Sequence, residues 1–145
     1  MMLANLLTRI IVKGESMSEG ISHFGSFIKE KRNNIGLSLR ALANIVGIST
    51  AYLSDIEKGK RNPPPAEKLC KLSQALNLNE KDKSILHDLA GTGRNNVPYD
   101  LTEYIISNDF VREALRVAKD TADQKDWMYF ISLLKKHKIK GDGYV

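Results

Sequence analysis

The sequence predicts an all-α protein: a domain of five short helices followed by a short helical C-terminal region. Three observations predict it. Apolar residues recur at three- and four-residue spacing along most of the chain, which is the spacing of one helix face. Serines stand where helices would begin and glycines where they would end, as capping requires. Val, Ile and Thr do not alternate over any long stretch, so no sheet is indicated.

Taken in order, residues 1–20 read as a leader or flexible N-terminal segment. The apolar run 3–12 is broken by Asn5, Thr8 and Arg9. Met17, following Lys13-Gly14-Glu15-Ser16, is a second candidate start. A short amphipathic helix that packs on a partner is the alternative. The run lacks the positive flank and small-residue cleavage site of a secretory signal. No stretch approaches the ~20 apolar residues of a bilayer span. A cytoplasmic protein without membrane contact is therefore expected.

The domain proper is expected over 21–91. From about Ser22, residues Phe24, Phe27, Ile28, Lys31 and Ile35 share one helical face, and Gly36 supplies the left-handed position that ends it. Ser38 caps a second helix at about 39–46, with Leu39, Leu42, Ala43 and Val46 apolar. Gly47 stops that helix, Ile48 is apolar, and Ser49 caps a third helix at about 50–58 with Leu53 and Ile56 inward. Gly59 stops the third. The loop Lys60-Arg61-Asn62-Pro63-Pro64-Pro65 is basic and stiff, and Pro65 suits a first helical turn. A fourth helix at about 65–76 presents Leu69, Leu72 and Leu76, and a fifth at about 80–90 presents Ile85, Leu86 and Leu89. Residues 91–98 read as a linker. The C-terminal region, 98–145, holds helices at about 101–107, 109–121 and 123–138.

Charge and composition narrow the function. The chain has 145 residues and a formal net charge of +5. Residues 17–97 hold twelve Lys/Arg against eight Asp/Glu, whereas 98–145 hold eight against eight. The basic excess therefore sits in the N-terminal part, which is the candidate for a polyanionic partner. The neutral C-terminal part is the candidate for protein contact. The single cysteine, Cys70, excludes an intramolecular disulfide and a Cys-based zinc site. His23, His87 and His137 share no ligand spacing, so neither metal nor cofactor is expected. No His-Glu-x-x-His, phosphate-binding glycine loop or nucleophile beside a base is present, so an enzyme is not expected.

Residues 38–59 carry the sharpest signal. Two short helices are joined by a turn too brief for an antiparallel hairpin. Gly47 permits the change of direction, Ile48 plugs the turn into the core, Ser49 starts the next helix, and Ala43 is small enough for close approach. This is the build of a helix-turn-helix, whose second helix enters the major groove of DNA. The run Ser38-Leu-Arg-Ala-Leu-Ala-Asn-Ile-Val-Gly47-Ile-Ser-Thr-Ala-Tyr-Leu-Ser-Asp-Ile-Glu57-Lys-Gly59-Lys-Arg-Asn-Pro63 resembles the Xre-type, or lambda-repressor/Cro-like, helix-turn-helix regulators. The resemblance covers about residues 24–89. Tails of some bacterial regulators of this type resemble the C-terminal part more loosely.

The resemblance implies a transcriptional regulator, a repressor by expectation, that binds double-stranded DNA. A homodimer is expected because the C-terminal region is neutral and bears aromatics, and because one reading helix is too little for operator specificity. It implies that Ser49, Thr50, Ala51, Tyr52, Ser54 and Asp55 lie at the base-reading face. Thr50 and Ala51 can touch a thymine methyl, and Asp55 can accept from cytosine N4. Tyr52 could instead pack. Arg40, Lys58, Lys60 and Arg61 flank that face and are expected on phosphates. Glu57 matches a position that pairs with Arg32 in this type of domain, which implies a structural ion pair. Trp127, Phe130, Ile131 and Leu134 are the dimer-interface candidates, with packing inside one subunit as the competing reading. An antitoxin or protein adaptor, with the C-terminal helices binding a partner protein, is the alternative function. The 48 residues from Pro98 onward are few for a dedicated ligand cavity, so no effector is assigned.

Overall fold

A computed structural model describes residues 17–141. Of the segment expected as a leader, residues 1–16 lie outside the described residues. Among those described, the chain forms eight α-helices and no strand: α1 (Met17–Asn34), α2 (Leu39–Val46), α3 (Thr50–Glu57), α4 (Ala66–Ala75), α5 (Glu80–Arg94), α6 (Tyr99–Ser107), α7 (Asp109–Thr121) and α8 (Gln124–Gly141). None of these helices is long and apolar enough to cross a membrane. The chain divides into two compact units between Thr102 and Glu103.

The first unit is built around α1, which packs along α5 and against α3, while α2 packs on α3 and α4. Phe24, Phe27 and Ile28 from α1 meet Leu42, Ala43 and Val46 from α2, Leu53 and Ile56 from α3, Leu69 and Leu72 from α4, and Leu86 and Leu89 from α5. Helical periodicity places these residues on inward faces; Ile35, expected on the same face as Phe24, instead lies past the end of α1 and is 49% exposed. One contact has no side chain at its centre. A Cβ at Gly25 would stand 2.2 Å from the Ile56 carbonyl oxygen, so only glycine lets α1 lie against the last turn of α3.

The first helix begins five residues earlier than the expected start near Ser22. The larger difference is at α5, which continues to Arg94 where a linker from residue 91 is expected. Gly91 and Gly93 are not chain breakers here. A Cβ at Gly91 would meet the Asn96 carbonyl oxygen at 2.8 Å, and one at Gly93 would meet the Pro63 ring at 3.0 Å. Both glycines serve close packing inside a helix, and Asn95, with φ 55°, supplies the left-handed stop. Arg94 Nε and Nη2 donate to the Pro63 carbonyl at 2.8 and 2.6 Å. The end of α5 thus holds the proline loop, in which Pro63 and Pro64 are buried.

The second unit is of a different kind. Asn108 caps α7 by accepting from the Val111 N–H at 3.2 Å. Asp123 opens α8: its Oδ1 accepts from the Lys125 and Asp126 N–H groups, while its own N–H donates to Asp126 Oδ2 at 2.9 Å. These reciprocal bonds are a capping box made with aspartates. Yet no residue from 103 to 138 is buried. Trp127 and Phe130 meet edge to face, with ring centroids 6.2 Å apart, but both remain exposed, as do Ile131 and Leu134. Phe110 is 84% exposed.

Candidate nucleic-acid interface

The candidate site is the outer face of α3, and the helix is held at both ends. At its start, the Ser49 hydroxyl accepts from the Tyr52 N–H at 3.1 Å. Before it, Ser38 caps α2 in the same way through the Ala41 N–H. Gly47, at φ 73°, turns the chain between the two helices, and the Ile48 N–H closes α2 on the Ala43 carbonyl at 3.0 Å. Ile48 packs at the margin of the core. The turn is held from outside by Lys68 of α4, whose ammonium donates to the Val46 and Gly47 carbonyls at 3.2 and 3.1 Å. A cation there also suits the negative end of the α2 dipole.

At the other end of α3, Arg32 of α1 grips Glu57 in a two-pronged contact. Nε donates to Oε1 at 2.7 Å and Nη2 to Oε2 at 2.9 Å. The third prong, Nη1, donates to the Leu37 carbonyl at 2.9 Å, just before α2 begins. The side chains are only 12% and 6% exposed. The bond to Glu57 holds the guanidinium above its ordinary value, against the opposing effect of burial. One arginine thereby ties the C-terminus of α1, the start of α2 and the end of α3.

With its ends fixed and Leu53 and Ile56 fully buried, α3 leaves Thr50 and Ala51 exposed and Ser54 and Asp55 partly so. Ser49 is exposed but serves as the N-cap. Tyr52 is half-buried and packs against the core margin. Arg40 on α2, Lys58 at the α3 C-cap, and Lys60 and Arg61 in the following loop are all exposed. The loop folds back on the helix, because the Lys60 N–H donates to the Asp55 carbonyl at 2.8 Å. That return brings Arg61 beside α3. Its Nε stands 3.7 Å from Asp55 Oδ2, and its guanidinium carbon 6.0 Å from the Tyr52 ring centre. Tyr52, Asp55 and Arg61 are therefore one group in space, whereas Trp127, Phe130, Ile131 and Leu134 belong to the second unit. Sequence reasoning misses Lys68 as a clamp on the turn. Nothing local marks it, since its partners lie 21 and 22 positions earlier.

Two short helices at a glycine turn, the second buried on one side and polar on the other, form a helix-turn-helix motif. Residues 28–82 match the family model described as "Helix-turn-helix". The match ends within α5, before α6–α8. Two uncharacterised helix-turn-helix-type transcriptional regulators of Mycobacterium tuberculosis, from strains CDC 1551 and H37Rv, are each 32% identical over 89 residues. That stretch is 61% of this chain and 61% of each relative. Among solved structures, the restriction-modification controller protein C.AhdI from Aeromonas hydrophila is 28% identical, with 43% of this chain and 94% of that one covered and a TM-score of 0.40. The SinR protein/SinI protein complex gives 27% identity, 79% and 97% coverage, and a TM-score of 0.40.

Proposed function

We propose that the protein is a sequence-specific double-stranded DNA-binding transcriptional regulator that reads the major groove with the outer face of α3. One observation carries this reading. A helix clamped by Ser49, Lys68 and Arg32 buries its whole apolar side and leaves Thr50, Ala51, Ser54 and Asp55 outward, between exposed cations. Base edges would be met by that face, and phosphates by Arg40, Lys58 and Lys60. The free N–H groups that open α2 and α3 add further phosphate donors. Occupation of a promoter by such a protein excludes other proteins, so repression is the proposed output.

A homodimer joined through the second unit is part of the same proposal. It is supported by the absence of any buried residue over 103–138, although that segment carries Phe110, Trp127, Phe130, Ile131 and Leu134. Exposed apolar surface of this kind marks an interaction site. A second copy also supplies a second reading helix, which one short α3 needs to specify an operator.

The test is selection of bound duplexes from a random library by the full-length protein, followed by titration across salt concentrations. The expected result is an enriched motif and an affinity that falls steeply with salt. Lys60→Ala should weaken binding about equally on all duplexes and reduce the salt slope by roughly one unit. Failure to prefer any duplex at any salt concentration would contradict DNA reading and favour the adaptor function.

A further inference from the structure

Arg61 is placed differently from the other cations around α3. The Lys60 N–H bond to the Asp55 carbonyl turns the loop back, so that residue 61 stands over the helix rather than trailing from its end. There its guanidinium meets two α3 side chains three positions apart and hence on one side of the helix: the Asp55 carboxylate at 3.7 Å and the Tyr52 ring at 6.0 Å. Its side chain remains 60% exposed. An exposed pair at that distance adds little to folding stability. What the contacts show is the side to which the guanidinium lies, toward Tyr52 and Asp55 on α3.

The chemistry of the group then points to a base. The contact to Asp55 is made by Nε, which leaves the terminal N–H groups to donate elsewhere. Two parallel N–H donors match one base edge in the major groove, the O6/N7 pair of guanine. Asp55 alone would be a poor neighbour for that edge or for phosphate, because both are acceptors. Beside Arg61 its charge is balanced, and it can orient the donors. We propose that Arg61 reads a guanine in the major groove, with Asp55 and Tyr52 as positioning residues. This replaces the phosphate contact expected of Arg61 from sequence, and it rests on the duplex-reading role proposed above.

The experiment uses the full-length protein and the duplex motif it selects. Binding is measured by fluorescence anisotropy on the selected duplex, on duplexes with each G·C pair changed to A·T, and on duplexes carrying 7-deazaguanine, which lacks the N7 acceptor but leaves every phosphate in place. Arg61→Lys keeps the charge and removes the fork. At one guanine per half-site it should lose roughly tenfold or more in discrimination, and there alone 7-deazaguanine should weaken the wild type but not the variant. Its salt slope should stay at the wild-type value. Asp55→Asn should lower discrimination at the same guanine without shifting the melting temperature, and the double variant should be no worse than Arg61→Lys. If Arg61→Lys leaves discrimination at every guanine intact, or if the selected motif holds no guanine, the assignment of Arg61 is overturned while DNA reading stands. If the wild type selects no motif, both fall together.

Discussion

Arg32 and Glu57 show how much one contact can organise. Two charges with side chains 12% and 6% exposed are held by paired hydrogen bonds, and the remaining guanidinium prong fixes the backbone at Leu37. Removing one partner would leave the other charge desolvated. Glu57→Ala should therefore destabilise the fold by about 3 kcal/mol, the low end for breaking a buried pair, since the bond to Leu37 survives. Replacing both residues by methionine should cost less than Glu57→Ala alone, because no unpaired charge then remains. Urea unfolding of the three variants makes the comparison, and equal costs would mean that the pair is solvated. At this scale legibility depends on distance along the chain. Ser38, Gly47, Ser49 and Gly59 act on their immediate neighbours, so their roles can be read locally. Lys68 on Val46, Arg94 on Pro63 and Lys31 on Asp82 join residues 22, 31 and 51 positions apart. No local pattern announces such pairs. Glu57 is suspected only because a carboxylate at a helix C-terminus needs a reason, and because the motif around it resembles a known family.

Among the elements, α5 departs furthest from its expected form. A glycine is read as a breaker when only sequence is at hand, but the same residue also permits close approach inside a helix. Gly91 and Gly93 are of the second kind, with Asn96, Pro98 and Pro63 occupying the space a side chain would need. The extra turn brings α5 close to the start of α6, with a cost in charge. Asp88 is exposed at its surface, but partial burial pushes its carboxyl above its ordinary value, the Asp100 carboxylate pushes it further, and His87 opposes them. A carboxyl whose folded value is raised favours the folded state when protonated. That stability is present below the ordinary aspartate range and is lost as pH rises through the raised folded value. Asp88→Asn, a mimic of the protonated form, should therefore melt higher than the wild type at neutral pH. The difference should shrink as pH falls toward the ordinary aspartate range. A melting difference independent of pH would show that Asp88 titrates normally. The helices α2 and α3, by contrast, are legible almost to the residue, because each begins after a serine cap and ends one or two residues before a glycine.

The whole molecule joins a unit with a complete core to one without. Residues 24–90 supply every buried hydrophobic side chain among the described residues, while 103–138 supply none. The sequence indicates the helices of the second unit and their apolar faces, but periodicity does not distinguish a face that packs within one chain from one that packs on another. Deleting residues 103–145 should leave a folded unit that melts cooperatively and sediments as a monomer, whereas the full chain should sediment as a dimer at tens of micromolar. The truncated form should bind a single half-site weakly. It should also lose any preference for two half-sites about 34 Å apart. A full-length protein that stays monomeric, both free and on two-site DNA, would remove self-association from the second unit's role. The central claim, that the outer face of α3 meets base edges, is tested most directly by changing that face and nothing beneath it. Thr50 and Ala51 are exposed, so Thr50→Gln and Ala51→Gln should leave the melting temperature unchanged. Duplex selection with wild type and the double variant side by side should then give motifs that differ at one or two base pairs in each half-site and agree elsewhere. Identical motifs from the two proteins would contradict α3 as the reading helix.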